Sequence, residues 1–126
     1  MMLMALLMAQ AATGLPVRVP LGEVPLPAAK SVERVIVMRV NFAPGQEMPR
    51  HVHPAPVVCL VEHGRFSARI GDAPAREIGT GEVTLEPANV EIGWFRNLSA
   101  TEPASLVCTF LAGQDDHELA RMLPAR

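Results

Sequence analysis

Residues 45–72 read GQEMPRHVHPAPVVCLVEHGRFSARIGD, and the pattern inside this stretch decides the fold class. Val57 to Val61 is an unbroken apolar run ended by Gly64, which reads as a strand covered on both faces. Phe66, Ala68 and Ile70 then alternate with Ser67 and Arg69, and Gly71-Asp72-Ala73-Pro74 signals a hairpin turn. Upstream, the stretch from Val32 to Phe42 alternates in the same way. Ile36, Met38, Val40 and Phe42 share one face, with Arg39 and Asn41 on the other. Downstream, Arg76 to Ile78 is a short return strand, and Gly79-Thr80-Gly81 turns into Val83 and Leu85, which alternate with Thr84 and Glu86. Pro87-Ala88-Asn89 turns again before a strand through Trp94 to Arg96, and Leu106 to Leu111 is the last run. Seven or eight short strands separated by turns, with no helical crossover, predict an all-β antiparallel sandwich or barrel, with a jelly roll among the candidates.

Composition agrees with this reading. The chain has 126 residues, 49% hydrophobic and 19% charged, with a net charge of −2, which describes one globular domain. Twelve prolines spread along it exclude a helical bundle, because an interior proline removes a hydrogen bond and clashes with the preceding turn. Four Phe, one Trp and no Tyr offer no stacking platform, and the charge offers no basic footprint, so nucleic acid is not an expected partner.

The two ends differ from the middle. Residues 1–11 are apolar, MMLMALLMAQA, with Arg18 the first charged side chain. The run is too short to span a bilayer. It has the character of a signal-peptide h-region, with Ala9-Gln10-Ala11 as an A-x-A cleavage site and a mature start near Ala12. The other reading is an apolar N-terminal arm that packs on the domain or on a partner subunit. The first predicts a periplasmic or secreted protein, the second a cytoplasmic one. Residues 12–31 form a Pro-rich extended arm, 32–112 the strand-rich domain, and 113–126 a tail. In the tail, Asp115 and Asp116 can cap a helix, and Leu119, Met122 and Leu123 recur at helical spacing before Pro124, which predicts a short C-terminal helix. The two cysteines, Cys59 and Cys108, lack CxxC spacing. They read either as buried thiols or, after export, as one disulfide.

Three of the four histidines, His51, His53 and His63, fall close together. On a strand, residues two apart point to the same face, so His51 and His53 can reach one metal ion. His63 lies at a turn and His117 in the tail, both solvated. Arg50 and Arg96 read as loop and edge residues able to attract a carboxylate near the mouth of the domain.

Gly45-x5-His51-x-His53-x10-Gly64 resembles the first motif of the cupin superfamily, and Gly81-x5-Pro87 followed by Trp94-Phe95-Arg96-Asn97 is similar to the second. The likeness covers residues 32–112. It implies a jelly-roll barrel of six to eight strands, a homodimer, and an interior ion (Fe, Mn, Ni, Zn or Cu) held by three His and one Glu. Exported single-domain bacterial cupins often carry such a leader. The resemblance also makes the strands carrying Cys59 and Cys108 neighbours in one sheet.

The pattern breaks at two ligands. Counting back from Gly64 puts Val57 where the resemblance implies Glu, and counting on from Pro87 puts Ile92, or Gly93 if the loop carries one extra residue, where it implies the third His. Glu47, in the loop before His51, and Cys59, inward with Val57 and Val61 by strand parity, are candidate extra ligands. Val57, Cys59, Ile92 and Trp94 form the expected pocket wall, with Trp94 and Phe95 straddling its rim. Two functions follow. One is a small-molecule binding barrel with a degenerate two-His metal site, since an apolar pocket with few polar groups suits a small ligand. The other is a metal-dependent enzyme of dioxygenase or isomerase type, using His51, His53 and a non-standard ligand.

Overall fold

The computed structural model describes residues 14–126, so the leader reading of residues 1–11 lies outside the described residues. Ten strands follow one another: β1 (Arg34–Phe42), β2 (Glu47–Met48), β3 (His51–Val52), β4 (Val57–His63), β5 (Arg65–Ile70), β6 (Arg76–Gly79), β7 (Val83–Glu86), β8 (Ile92–Asn97), β9 (Ala104–Ala112) and β10 (Arg121–Met122). They make two antiparallel sheets, one in the order β1-β9-β4-β7 and one in the order β10-β3-β8-β5-β6, with β2 also paired to β8. The chain is the expected all-β jelly roll.

Strand parity sets the core. In β4, Val57, Cys59 and Val61 are buried to 1% exposure or less, while Glu62 turns outward to meet Arg39 Nε at 2.8 Å. Phe42, Phe66 and Phe95 pack as a trio, with Phe66 centroids 5.1 and 5.2 Å from the other two rings. Gly64 carries the reversal from β4 to β5. Its φ of +95° lies in left-handed space, and a Cβ there would come within 2.7 Å of Ala104 Cβ, so no larger residue fits without displacement.

The two cysteines stand directly opposite each other in the β4–β9 ladder and form a disulfide. Of the two readings open in the sequence, the structure has the bridge.

The tail departs from expectation. Among the described residues there is no helix; residues 113–126 form a turn and then β10, which pairs with β3 as Arg121↔Val52 and Met122↔His51. Asp116 does not cap a helix. Its carboxylate accepts from its neighbour Gly113 N at 2.7 Å and from Lys30 Nζ at 2.6 Å, closing the turn. So short a segment ahead of Pro124 cannot sustain a helix alone. Leu119 packs against the core instead, and Leu123 N donates to Arg50 O at 3.0 Å.

Candidate metal centre

Three side chains from two strand regions converge inside the barrel: His51 on β3, His53 just after it, and Glu86 at the end of β7. Their ligand atoms lie within 4.8 Å of one another, and all three residues are buried. His51 Nε2 is 3.2 Å from His53 Nε2, His53 Nε2 is 3.2 Å from Glu86 Oε2, and His51 Nε2 is 3.8 Å from Glu86 Oε1.

The opposite ring nitrogens fix the tautomers. His51 Nδ1 lies 2.7 Å from the Pro49 carbonyl oxygen, and His53 Nδ1 lies 2.7 Å from the Leu119 carbonyl oxygen. A carbonyl only accepts, so each Nδ1 carries the proton and donates it. In the neutral imidazoles both Nε2 atoms then hold bare lone pairs aimed at each other and at a carboxylate. Three acceptors meet with no donor among them, and such a cluster requires a cation, either a proton or a metal ion. Titration reflects the same geometry. Burial opposes charge on His53, yet the hydrogen bond and charge of Glu86, with the Leu119 carbonyl, raise its pKa above the ordinary value. Burial likewise opposes ionisation of Glu86, but the His51 and His53 rings, once protonated on Nε2, donate to it and hold its pKa below the usual carboxylate range.

Two imidazole nitrogens and one carboxylate on a common centre form a 2-His-1-carboxylate donor set, a fit for a divalent transition metal with positions left open. Glu86 is the residue that sequence reasoning misses. In Val83-Thr84-Leu85-Glu86, hydrophobicity favours Val83 and Leu85 as the inward pair. The structure buries Thr84 and Glu86 instead, at 0% and 5% exposure. The register explains the carboxylate: Glu86 stands opposite Val57 across the β4–β7 ladder. A carboxylate missing from one strand is therefore supplied by the residue facing that position on the next. A Thr-x-Glu pair at the end of a strand, just before Pro87, is the signal that could have exposed it.

The other candidates are placed as follows. Glu47 sits opposite Arg96 in the β2–β8 ladder and faces outward, 3.9 Å from Arg96 Nη1, so it is no ligand; its neighbour Met48 turns inward. Cys59 is spent in the disulfide and lies outside the cavity wall, which removes it as a soft ligand. Val57 lines the cavity. Ile92 is wholly buried opposite His51 but does not reach the wall. Trp94 is turned out, its Nε1 donating to Ser67 Oγ at 3.1 Å and the Arg69 guanidinium carbon 5.9 Å from its ring centroid. The reason is a register shift: Arg69 pairs with Trp94 and Ile70 with Ile92, which leaves Gly93 as an extra residue in β8. That bulge puts both Ile92 and Phe95 inside and Trp94 outside.

Residues 38–110 match the Cupin domain family, Cupin_2, more than half of the chain. This chain is a cupin. Among solved structures, an oxalate oxidase in complex with the substrate analogue glycolate is similar at a TM-score of 0.61 and 26% identity, over 71% of this cupin and 46% of that chain. A cupin-like protein from Thermotoga maritima gives a TM-score of 0.59 at 26% identity, over 71% of this chain and 64% of its own. An oxalate decarboxylase from Bacillus subtilis gives 0.63 at 18% identity, over 73% and 24%, a likeness of fold alone. This cupin thus spans less than two thirds of the length of each. No curated protein matches its sequence.

Above the centre lies a cavity of about 240 Å³. Its wall is aliphatic, thioether (Met38, Met48, Met122) and aromatic apart from His51, His53, Glu86 and the Cys108 end of the disulfide, and His53 itself packs edge-on against Phe110 with centroids 5.7 Å apart. The C-terminal tail supplies Leu119, Ala120 and Met122 to that wall.

Proposed function

We propose that this cupin is a metal-dependent small-molecule enzyme whose single divalent ion is held by His51, His53 and Glu86. One observation carries the reading: three buried acceptor atoms meet without a donor. The likeness to oxalate oxidase, at 26% identity, supports it. Bound there, the ion would supply Lewis-acid activation of a chelating substrate or of dioxygen.

The protein's own residues do the rest. Pro49 and Leu119 carbonyls hold both imidazoles in the tautomer that presents Nε2 inward. Glu86 contributes the negative charge that offsets part of the ion's charge. The apolar wall keeps bulk water from the centre and strengthens electrostatic interactions within it. Among the described residues no titratable side chain other than His51, His53 and Glu86 lines the cavity, so proton transfer falls to substrate or water.

Elemental analysis of untagged protein purified without chelator tests the assignment, alongside a His51→Ala/His53→Ala variant. About one transition-metal ion per chain, lost in the variant, is the expected result. Metal-free protein that stays unloaded after incubation with Fe, Mn, Ni, Cu and Zn in turn would leave a metal-free binding barrel as the working function.

Two expectations about context join this proposal. The Cys59–Cys108 disulfide supports export, because such bonds persist in oxidising compartments. A periplasmic or secreted product starting near Ala12 is expected, and an intact Met1 in cytoplasmic protein would count against it. Val35 and Val37, 59% and 60% exposed on edge strand β1, support a homodimer through that edge, which light scattering on purified protein tests.

A further inference from the structure

We infer that the cavity selects a small apolar monocarboxylate, one carboxylate on an aromatic or branched hydrocarbon body, and rejects dicarboxylates. The inference rests on the metal assignment above and specifies the substrate class of the same centre. Charge gives the first part. Two neutral imidazoles, one carboxylate and a divalent ion leave a single net positive charge, which one anionic group neutralises. A second carboxylate on the same ion would leave the buried site with an excess negative charge, and one held away from the ion would need its own cation or donors; among the described residues the cavity wall has neither Lys nor Arg. Two arginines of the neighbouring outer surface are committed to Glu91. Arg50 Nε donates to Glu91 Oε1 at 2.5 Å and Arg126 Nη2 to Glu91 Oε2 at 2.8 Å, on the outer surface beside Trp94.

Shape and chemistry of the wall give the second part. Val40, Phe42, Met48, Phe95, Leu106 and Phe110 face the space, and among the described residues no Ser, Thr, Asn or Gln does. Asn97, buried in the core, donates both amide hydrogens away, to the Ala43 and Glu102 carbonyls. A charged group pushed into such a wall loses its hydration with nothing in return. The cavity of about 240 Å³ equals the liquid volume of roughly eight waters, room for a benzoate-sized body.

The test uses cobalt-loaded full-length protein, whose visible absorption reports on groups entering the metal's surroundings. Benzoate and isovalerate are titrated against oxalate and succinate, with metal content measured afterwards so that extraction of the ion is not mistaken for binding. The monocarboxylates are expected to bind at least about tenfold more tightly than succinate and oxalate, the cost of an unpaired buried charge. Met122 lines the cavity yet is 52% exposed, so Met122→Arg is tolerable and is expected to narrow or reverse that ratio by offering a cation. If the protein loads cobalt but dicarboxylates bind as well or better, or no carboxylate perturbs the spectrum, the substrate class is wrong and the metal centre stands. If cobalt does not load at all, the centre and the substrate class fall together.

Discussion

His51 and His53 are two residues apart, yet different parts of the chain hold them. His51 is fixed by Pro49 two residues back, whereas His53 is fixed by Leu119, 66 residues away in the tail. Glu86 belongs to a third regime, set in the β4–β7 ladder opposite Val57. The barrel thus builds one side of the centre from ladder geometry, and a strap laid over it builds the other. A ligand set by a ladder is as rigid as the sheet. A ligand set by a strap depends on whatever keeps the strap in place.

The largest effect is expected where the ladder is attacked. Glu86→Val removes the one carboxylate that the described residues bring to the centre, and metal affinity should fall by more than about 100-fold, since even outer-shell partners cost roughly 10–100-fold. The double variant Val57→Glu/Glu86→Val returns a carboxylate to the facing position in the same ladder, and metal content should recover in large part. If Glu86→Val loads metal as well as the parent, the carboxylate is no ligand.

Next comes the disulfide, which lies on the ladder side but outside the centre. Cys59→Ala/Cys108→Ala opens a 49-residue link and should lower stability to denaturant by roughly 2–4 kcal/mol. Metal stoichiometry should hold, because neither sulfur is a ligand. Loss of metal at unchanged stability would mean that the bridge positions Glu86, whose Oε2 is 4.0 Å from Cys59 Sγ.

The strap is broken by ending the chain after Asp116. The β1–β9 barrel keeps its ladders, and Lys30 and Gly113 keep their bonds to Asp116. His53 loses its orienting carbonyl, and the cavity loses Leu119, Ala120 and Met122. Metal affinity should drop by about 10–100-fold with the strand circular-dichroism signal retained. A truncated protein that binds metal like the parent would show that His53 needs no strap.

Ladder and strap were unequally legible in the sequence. The alternation of β1, β4 and β5 and the Gly64 reversal point to the barrel because a period of two and a left-handed turn are local properties. The His51-x-His53 pair is legible for the same reason. Glu86 was hidden because its strand buries Thr84 and Glu86 against hydrophobic expectation, a choice that makes sense only with two imidazoles waiting across the barrel. Trp94 was misplaced by a single bulge at Gly93, invisible without the partner strand. The tail reads as a helix because Leu119, Met122 and Leu123 recur at helical spacing, whereas only Arg121 and Met122 form β10, and the carbonyl acceptor the tail gives His53 is a backbone group that no side-chain pattern reveals.

The smallest effect, and the one that sharpens the comparison most, is in the pH dependence of the metal-free protein. Glu86 has its folded pKa held below the reference value of 4.5, so its stabilisation is present above that value and is lost as pH falls through the folded pKa. His53 has its folded pKa raised above 6.5, so its stabilisation is complete below 6.5 and is lost as pH rises through the folded pKa. Metal-free protein should therefore be most stable between about pH 4.5 and 6.5, where a proton occupies the cluster. Above the raised pKa of His53 the three acceptors face one another without a cation. The gain in melting temperature on adding metal should then be larger at pH 8 than at pH 6, by a few degrees. In the protein truncated after Asp116 that difference should shrink, because His53 no longer holds its ring against Glu86 with the same geometry. A metal-induced gain independent of pH would mean that proton and metal do not compete for the same atoms.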